Sequence, residues 1–307
     1  MKEKSQKRIT VVNACAKSVH QSNLLSQNMR LVDNLSTLNK NELLLLTFVA
    51  SKVKKGDTAF EKLVFKPSIL SALLNINLAD CKTRARFQRD VINLSKKSMV
   101  IWRDNNESFI PGPLFSQCQY DRENRQYIFK LNDRMTPYYL VFDKKDPGTI
   151  FKYGYIRMLP SVYSRRLYVI AASIKNLAGG IAYTTEKLYA VLGYTDESHN
   201  FCSRVLNKAI LDINALTDIT LQASAIKEGK KIIGYIFKAH AKSKTFMDGQ
   251  GIYPSELSDL ESEKRRIQKL YREPEGTIKG EVVVHNIQYR DLTPKQQTSF
   301  KENGIIV

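Results

Sequence analysis

His199, Asn200, Ser203, Arg204 and Asn207 fall within one short stretch of the chain. Arginine offers a fixed fork of N–H donors that matches the O6 and N7 acceptors of guanine, and asparagine pairs a donor and an acceptor as adenine requires. Counted at about 100° per residue from Phe201, these residues lie between roughly 160° and 300° on one side of a helix. Val205, Ala209, Ile213 and Leu216 lie within about 120° of Phe201 on the other side. Such a helix buries its apolar side and offers a small polar face, with Arg204 suited to guanine, Asn200 or Asn207 to adenine, and Ser203 or His199 to a base or a phosphate. A more basic set comprises Lys82, Arg86, Arg89, Asn93 and Lys96, at about 180° to 260° from Phe87, while Val91 and Leu94 lie within about 40° of it. No acid interrupts that face, which suits phosphate contacts. Arg84, at about 60°, sits near the buried edge, where it either joins those contacts or braces the core. Lys227, Lys230 and Lys231 surround a turn and would also neutralise phosphates. The bland alternative for each set is a solvated polar surface.

Other chemistries find little support. The chain has no Gly-x-x-x-x-Gly-Lys-(Ser/Thr) phosphate loop. His20, His199, His240 and His285 form no His-x-His pair, and Cys15, Cys81, Cys118 and Cys202 form no Cys-x-x-Cys pair. His199 and Cys202 share a turn, but two ligands without partners do not make a metal site. The expectation is a protein with no catalytic residue, no metal and no cofactor.

The charge balance points the same way as the polar faces. The chain of 307 residues carries 48 Lys+Arg against 30 Asp+Glu, a net charge of +18. Met247 to Val307 holds 9 basic and 10 acidic residues, so the surplus lies entirely in what precedes it, 39 basic against 20 acidic. A basic body with a nearly neutral tail is the footprint of a polyanion binder. The longest apolar run, Leu43 to Ala50, falls short of the ~20 residues a membrane-spanning helix needs. Ile9 to Ala14, broken by Asn13, is a poor signal-peptide core. Together with the scattered cysteines, these features predict a cytoplasmic protein without a membrane partner.

Elements that could position the two polar faces can be read in order. Residues 1–18 are basic and polar and read as a mobile N-terminus. A first domain is expected over 19–142, with a buried helix at Leu43 to Val53 after a turn at Leu38-Asn39-Lys40, a helix at Pro67 to Leu74, and a third from about Thr83 to Lys97. Two polar turns, Asp104-Asn105-Asn106 and Asp121 to Asn124, separate β-rich runs that read as a wing and an additional strand. Asp143 to Gly148 is a candidate linker. A second domain, 149–242, opens with a helix in SVYSRRLYVIAASIKN, then a short helix that Thr184-Thr185 can cap, a polar turn from Gly193 to Asn200, a longer helix from about Phe201, and two strands around a lysine turn. The extension 243–307 reads as partly helical and otherwise flexible, with a helical pattern in Pro254 to Glu273 and a short strand in Glu281 to Ile287.

Helix, turn, helix and β-hairpin is the order of a winged helix-turn-helix, whose second helix enters the major groove. Phe-x-x-x-Val-(Ile/Leu)-Asn occurs at Phe87–Asn93 and again at Phe201–Asn207, each time after an apolar helix and before strands. The expected fold class is therefore α+β, two tandem winged-helix domains related by internal duplication.

YSRRLYVIAASIKN, VLNKAILDINALTDI and IKEGKKIIGYIFK together resemble the second winged-helix domain of the iteron-binding plasmid replication initiator proteins, the RepB/RepE-type family. VHQSNLLSQNMRLVDNLSTLNKNELLLLTFVASKV resembles the start of that family's first domain. The resemblance covers roughly Val19 to Lys242. It implies a sequence-specific binder of double-stranded DNA at directly repeated sites of a plasmid origin, gripping one face of the duplex as a monomer. It also implies a homodimer, formed through the first domain, that represses the protein's own gene, and recruitment of the host initiator and replicative helicase. A winged-helix transcriptional repressor and a rolling-circle nicking enzyme are the alternatives.

Overall fold

A computed structural model describes residues 10–11, 24–27, 35–53, 57–103, 108–139, 149–175, 177, 180–195, 201–242, 285–292 and 294–303. The chain divides into two compact units, residues 1–28 with 38–148 and residues 29–37 with 149–307.

Helix α1 (Lys40–Ala50) is the centre of the first unit. Asn39 starts it by accepting from the amides of Asn41 and Glu42, and Glu42 Oε2 accepts from the Asn39 amide at 2.7 Å, a reciprocal capping box. Leu43 to Leu46, Phe48 and Val49 are each no more than 2% exposed, so the helix is buried around its circumference. Strand β1 (Thr10–Val11) and strand β2 (Leu63–Phe65) flank it in sequence. Helix α2 (Pro67–Leu74) has the expected bounds, opened by Pro67 and closed by Asn75 at a left-handed φ of 54°. Helix α3 (Cys81–Lys96) begins at Asp80, whose carboxylate accepts from the Thr83 amide at 2.7 Å. Hydrogen bonds to Thr83 hold the Asp80 carboxyl below its ordinary range.

Two hairpins follow, β3 (Ser98–Arg103) with β4 (Ser108–Pro113) and β5 (Phe115–Asp121) with β6 (Gln126–Leu131). Strand β6 pairs antiparallel with β2, Leu63 opposite Phe129, and β1 lies parallel to β2, giving the order β1-β2-β6-β5. Strands β3 and β4 form their own ribbon. The core between sheet and helices is aromatic: Phe65 lies between Phe48 and Phe129, and Phe87 of α3 stands edge-on to Tyr127 at 5.2 Å.

The second unit repeats this plan. Helix α4 (Val162–Ile174) precedes strand β7 (Ile181–Thr184), helix α5 (Thr185–Leu192), a π-helical turn (Phe201–Leu206), helix α6 (Asn207–Leu216) and the hairpin β8 (Ile219–Glu228) with β9 (Lys231–Ala241). Thr184 caps α5 by accepting from the Lys187 amide, as expected. Strand β7 pairs antiparallel with β9, as β2 does with β6. Helix, strand, helix, helix and hairpin therefore recur in both units, the layout of two winged helices.

The extension differs from a simple flexible tail. Strand β10 (His285–Gln288) adds parallel to β8, Ser224 opposite His285, and helix α7 (Pro294–Asn303) follows it. Ile287, Tyr289, Leu292 and Phe300 cover Ala182, Ile226, Ile233 and Ile236 of the sheet. These isoleucines would otherwise expose an apolar sheet face, which explains the docking. A Cβ at Gly234 would stand 2.6 Å from the Phe300 ring and 2.4 Å from the Tyr183 carbonyl oxygen, so glycine there admits the cover. The helical pattern at Pro254 to Glu273, the linker Asp143 to Gly148 and residues 1–9 lie outside the described residues.

Just past the end of α3, Lys97 Nζ donates to Glu42 Oε2 at 2.6 Å, with the Glu42 side chain only 1% exposed. Removing the cation alone leaves a buried carboxylate without its counter-ion, so Lys97→Ala is expected to destabilise the first unit by about 2–3 kcal/mol. The shift in urea midpoint can be followed by the fluorescence of Trp102, the one tryptophan of the sequence. Combining Lys97→Met with Glu42→Gln should restore much of the loss, whereas a single-variant cost below ~0.5 kcal/mol would match an ordinary surface pair instead.

Candidate nucleic-acid interface

Helix α3 turns Phe87, Val91 and Leu94 inward at 3% exposure or less. Each such burial stabilises by about 1.5–3 kcal/mol, which fixes the rotation of the helix about its axis. Lys82, Arg86, Arg89, Asn93 and Lys96 are then all exposed, together on the opposite face, as the spacing predicts. Polar bonds secure the flank: Asp90 accepts from Asn39 Nδ2 at 3.0 Å and from Asn41 Nδ2 at 2.9 Å. Behind the helix, the Cys118 thiol donates to the Val91 carbonyl, and burial pushes its pKa up to about 12, which keeps it a neutral donor. Arg84 is half-buried and donates to Cys81 Sγ at 3.3 Å, at the edge of the basic face.

In the second unit, three consecutive residues of α4 make buried polar bonds, two of which tie it to α6 and α5. Ser164 Oγ donates to Asp212 Oδ2 of α6 at 2.9 Å, both residues being buried. Arg165 Nε donates to the Leu159 carbonyl at 3.0 Å, and Arg166 donates to the carbonyl of Leu192 at the end of α5. Burial lowers the pKa of both guanidiniums, Arg165 to about 10. Gly193, at φ 60°, closes α5 where a Cβ would stand 2.5 Å from Arg166 and from the Ser36 carbonyl oxygen. At the far end of α6, Asn214 exchanges two bonds with the Leu221 backbone, at 2.7 and 3.0 Å, tying the helix to β8.

The expected α-helix from Phe201 starts instead as a π turn, which changes which residues are inside. Phe201 and Leu206, five residues apart, are 2% and 0% exposed, the spacing of an i→i+5 ladder. Val205, expected in the core, is half-buried. Phe201 anchors the turn among Tyr189, Tyr194 and Tyr235, with centroids at 4.5, 4.9 and 6.2 Å. Ser203 and Arg204 are exposed, and Asn207 is half-buried with Oδ1 4.0 Å from Cys202 Sγ. His199 and Asn200 lie outside the described residues. On the wing, Lys230 and Lys231 are exposed, while Lys227 is half-buried beside the bulge that follows Ile226.

Strand pairing also assigns the wing of the first unit. Because β6 pairs with β2 as β9 pairs with β7, the β5–β6 turn is the counterpart of the β8–β9 wing, and β3–β4 is the additional hairpin. Arg122 and Arg125, which the sequence reading missed, are exposed on that turn. Asp121 accepts from the Asn124 amide at 3.1 Å and from its Nδ2 at 2.8 Å, and Arg125 adopts a left-handed φ of 51°. The signal available in the sequence is Asp-Arg-Glu-Asn-Arg, a turn former flanked by cations like Lys-Glu-Gly-Lys-Lys.

Two family profiles match the chain, "Initiator Replication protein, WH1" over residues 18–172 and "Initiator Rep protein, WH2" over residues 184–239. The chain belongs to the initiator Rep protein family. Among solved structures, the Pi initiator protein in complex with iteron DNA is similar, with a TM-score of 0.58 and 17% identity, over 73% of this chain and 99% of that one. At that identity the likeness is one of fold. No curated protein matches. As an initiator Rep protein the chain is a winged-helix DNA-binding protein of replication initiation. Among the described residues, no helix is long and apolar enough to cross a membrane.

If the β5–β6 turn lies on phosphates, replacing both Arg122 and Arg125 by alanine lowers the slope of log affinity against log salt by about two, since each neutralised phosphate contributes about 0.9. Binding titrations between 50 and 200 mM salt would show it. An unchanged slope would remove this turn from the interface.

Proposed function

We propose that this initiator Rep protein binds directly repeated sites of a plasmid origin with α3 and the Phe201–Leu216 segment in successive major grooves, and that this binding starts replication by opening the adjacent duplex. The observation that carries the reading is the pair of reading segments, each fixed from behind, that present Lys82, Arg86, Arg89, Asn93 and Lys96 in one unit and Ser203 and Arg204 in the other. Successive grooves separate the two by about one helical turn, ~10.5 bp, so a site of roughly 20 bp is expected. The likeness in fold to an initiator in complex with iteron DNA is consistent with binding to repeated DNA.

In this reading the protein has no catalytic step of its own. Its work is binding energy: Arg204 on guanine and Asn200 or Asn207 on adenine discriminate bases. Lys227, Lys230 and Lys231, with Lys82, Arg84, Arg86, Arg89 and Lys96, hold the backbone. The first unit also serves dimerisation, and the dimer represses the protein's own gene; host initiator and replicative helicase are the partners at the opened origin. The proposed working units are residues 19–142 and 149–242, joined by 143–148, in the cytoplasm of a plasmid-bearing bacterium.

Band-shift and footprinting on the DNA flanking the gene provide the test, with a protected direct repeat as the expected result. No preference for a repeat over random duplex at raised salt would sink the reading, and an inverted repeat alone would favour a repressor. Within a footprinted repeat, Arg204→Ala is expected to relax base preference at one position by about 1–3 kcal/mol, and Lys230→Ala to weaken all sequences alike while lowering the salt slope by about one. Equal losses on specific and random DNA for both variants would displace the second reading segment.

A further inference from the structure

The recurring Phe-x-x-x-Val-(Ile/Leu)-Asn pattern places its sixth residue differently in the two units. Leu206 is 0% exposed, held inside by the π turn, whereas Ile92 on the regular helix α3 is 52% exposed. A single exposed aliphatic side chain is common on protein surfaces, but here its repeat counterpart lies in the core. At about 140° from Phe87, Ile92 borders the basic face, with Ala85 beside it at about 160°. Ala85, Arg89, Ile92 and Lys96 follow one another at spacings of four, three and four, a single ridge along the helix, and all are exposed. The ridge thus alternates aliphatic and cationic side chains.

That alternation has a chemical match in the major groove. Thymine presents a C5-methyl group beside its O4 acceptor, a feature that no other base has and that apolar side chains contact. Lysine and arginine at the neighbouring positions reach phosphates or guanine on either side. We propose that Ile92, with Ala85 one half-ridge away, is a specificity residue of the first unit that reads thymine methyl groups, so that this helix discriminates bases and does more than grip phosphate. The proposal rests on the functional reading above, that α3 enters a major groove.

Replacing thymine by deoxyuridine removes the methyl and leaves base pairing intact. With the full-length protein and the direct repeat recovered by footprinting, each thymine is replaced singly and affinity is measured for wild type, Ile92→Ala and Ile92→Val. Wild type is expected to lose about three- to fivefold at one or two positions within one half of the repeat, the effect of one buried methyl-sized contact. Ile92→Ala should bind the thymine duplex that much more weakly and show no further loss with deoxyuridine at the same position, with Ile92→Val in between. Ile92→Ala should leave thermal unfolding and oligomeric state unchanged, because the side chain is exposed. The proposal is overturned if Ile92→Ala retains the full thymine–deoxyuridine difference at every position, or if it alters self-association and not DNA affinity. Wild type that prefers no repeat over random duplex would overturn the functional reading itself, an outcome distinct from a repeat bound tightly but without regard to its methyl groups.

Discussion

A helix that reads DNA must leave its outer face available, so it can be held only by its back, its flanks and its ends. Both units meet this constraint with polar bonds added to an apolar seam. In the first, Asp90 and Lys97 fasten α3 to the capping box of α1, at Asn39, Asn41 and Glu42. In the second, Ser164 fastens α6 through Asp212, and Arg166 fastens α5 at the Leu192 carbonyl. The apolar seam sets the rotation of each helix by what it buries. A buried carboxylate adds a directional tie, since displacement leaves it unpaired at a cost of several kcal/mol. The placement of each exposed face is inherited from these bonds.

The outward chemistry then divides by what each element can reach. Cations at the two hairpin turns, Arg122 and Arg125 in one unit and Lys230 and Lys231 in the other, are exposed at the tips of strand pairs. A cationic tip suits a phosphate backbone, which asks only for charge within reach. Base edges need fixed geometry, and the helices supply it. The parallel strand β10 joins β8 along Ser224 to Lys227, immediately before the Glu228–Lys231 wing, so the C-terminal segment stiffens the base of that wing as it covers Ile226, Ile233 and Ile236.

Most of this plan was legible in the sequence where a local rule decides the outcome. Pro67 and Asn75 bound α2, Thr184 caps α5, and the wheel of α3 put its cations on the solvent side, because capping and 3.6-residue periodicity are local. Strand partnership is not local. Which of two adjacent hairpins serves as the wing depends on β6 meeting β2 across some sixty residues of chain, and so Arg122 and Arg125 escaped notice. The π turn escaped for a related reason: a count at 100° per residue assumes the i→i+4 ladder that Phe201 and Leu206 abandon. Docking of the tail was hidden because α7 is polar apart from Phe300, and its contacts come mostly from residues outside the helix, Ile287, Tyr289 and Leu292.

A change of helical ladder gives the two units different exposed faces at the recurring pattern. With the regular ladder, Val91 is inward and Ile92 outward, and the exposed face of α3 is long, cationic and partly aliphatic. With the π turn, both Phe201 and Leu206 go inward, Val205 moves to the edge, and the residues displayed between them are Ser203 and Arg204. A π turn widens the local coil and is anchored here by three tyrosines around Phe201, so the exposed arginine springs from a firmly packed base. A fixed backbone sets where the planar guanidinium fork can reach, and bidentate recognition of guanine is what that fork suits. The same seven-residue pattern therefore yields a broad exposed face in one unit and a narrower one in the other, and the difference lies in one turn of backbone.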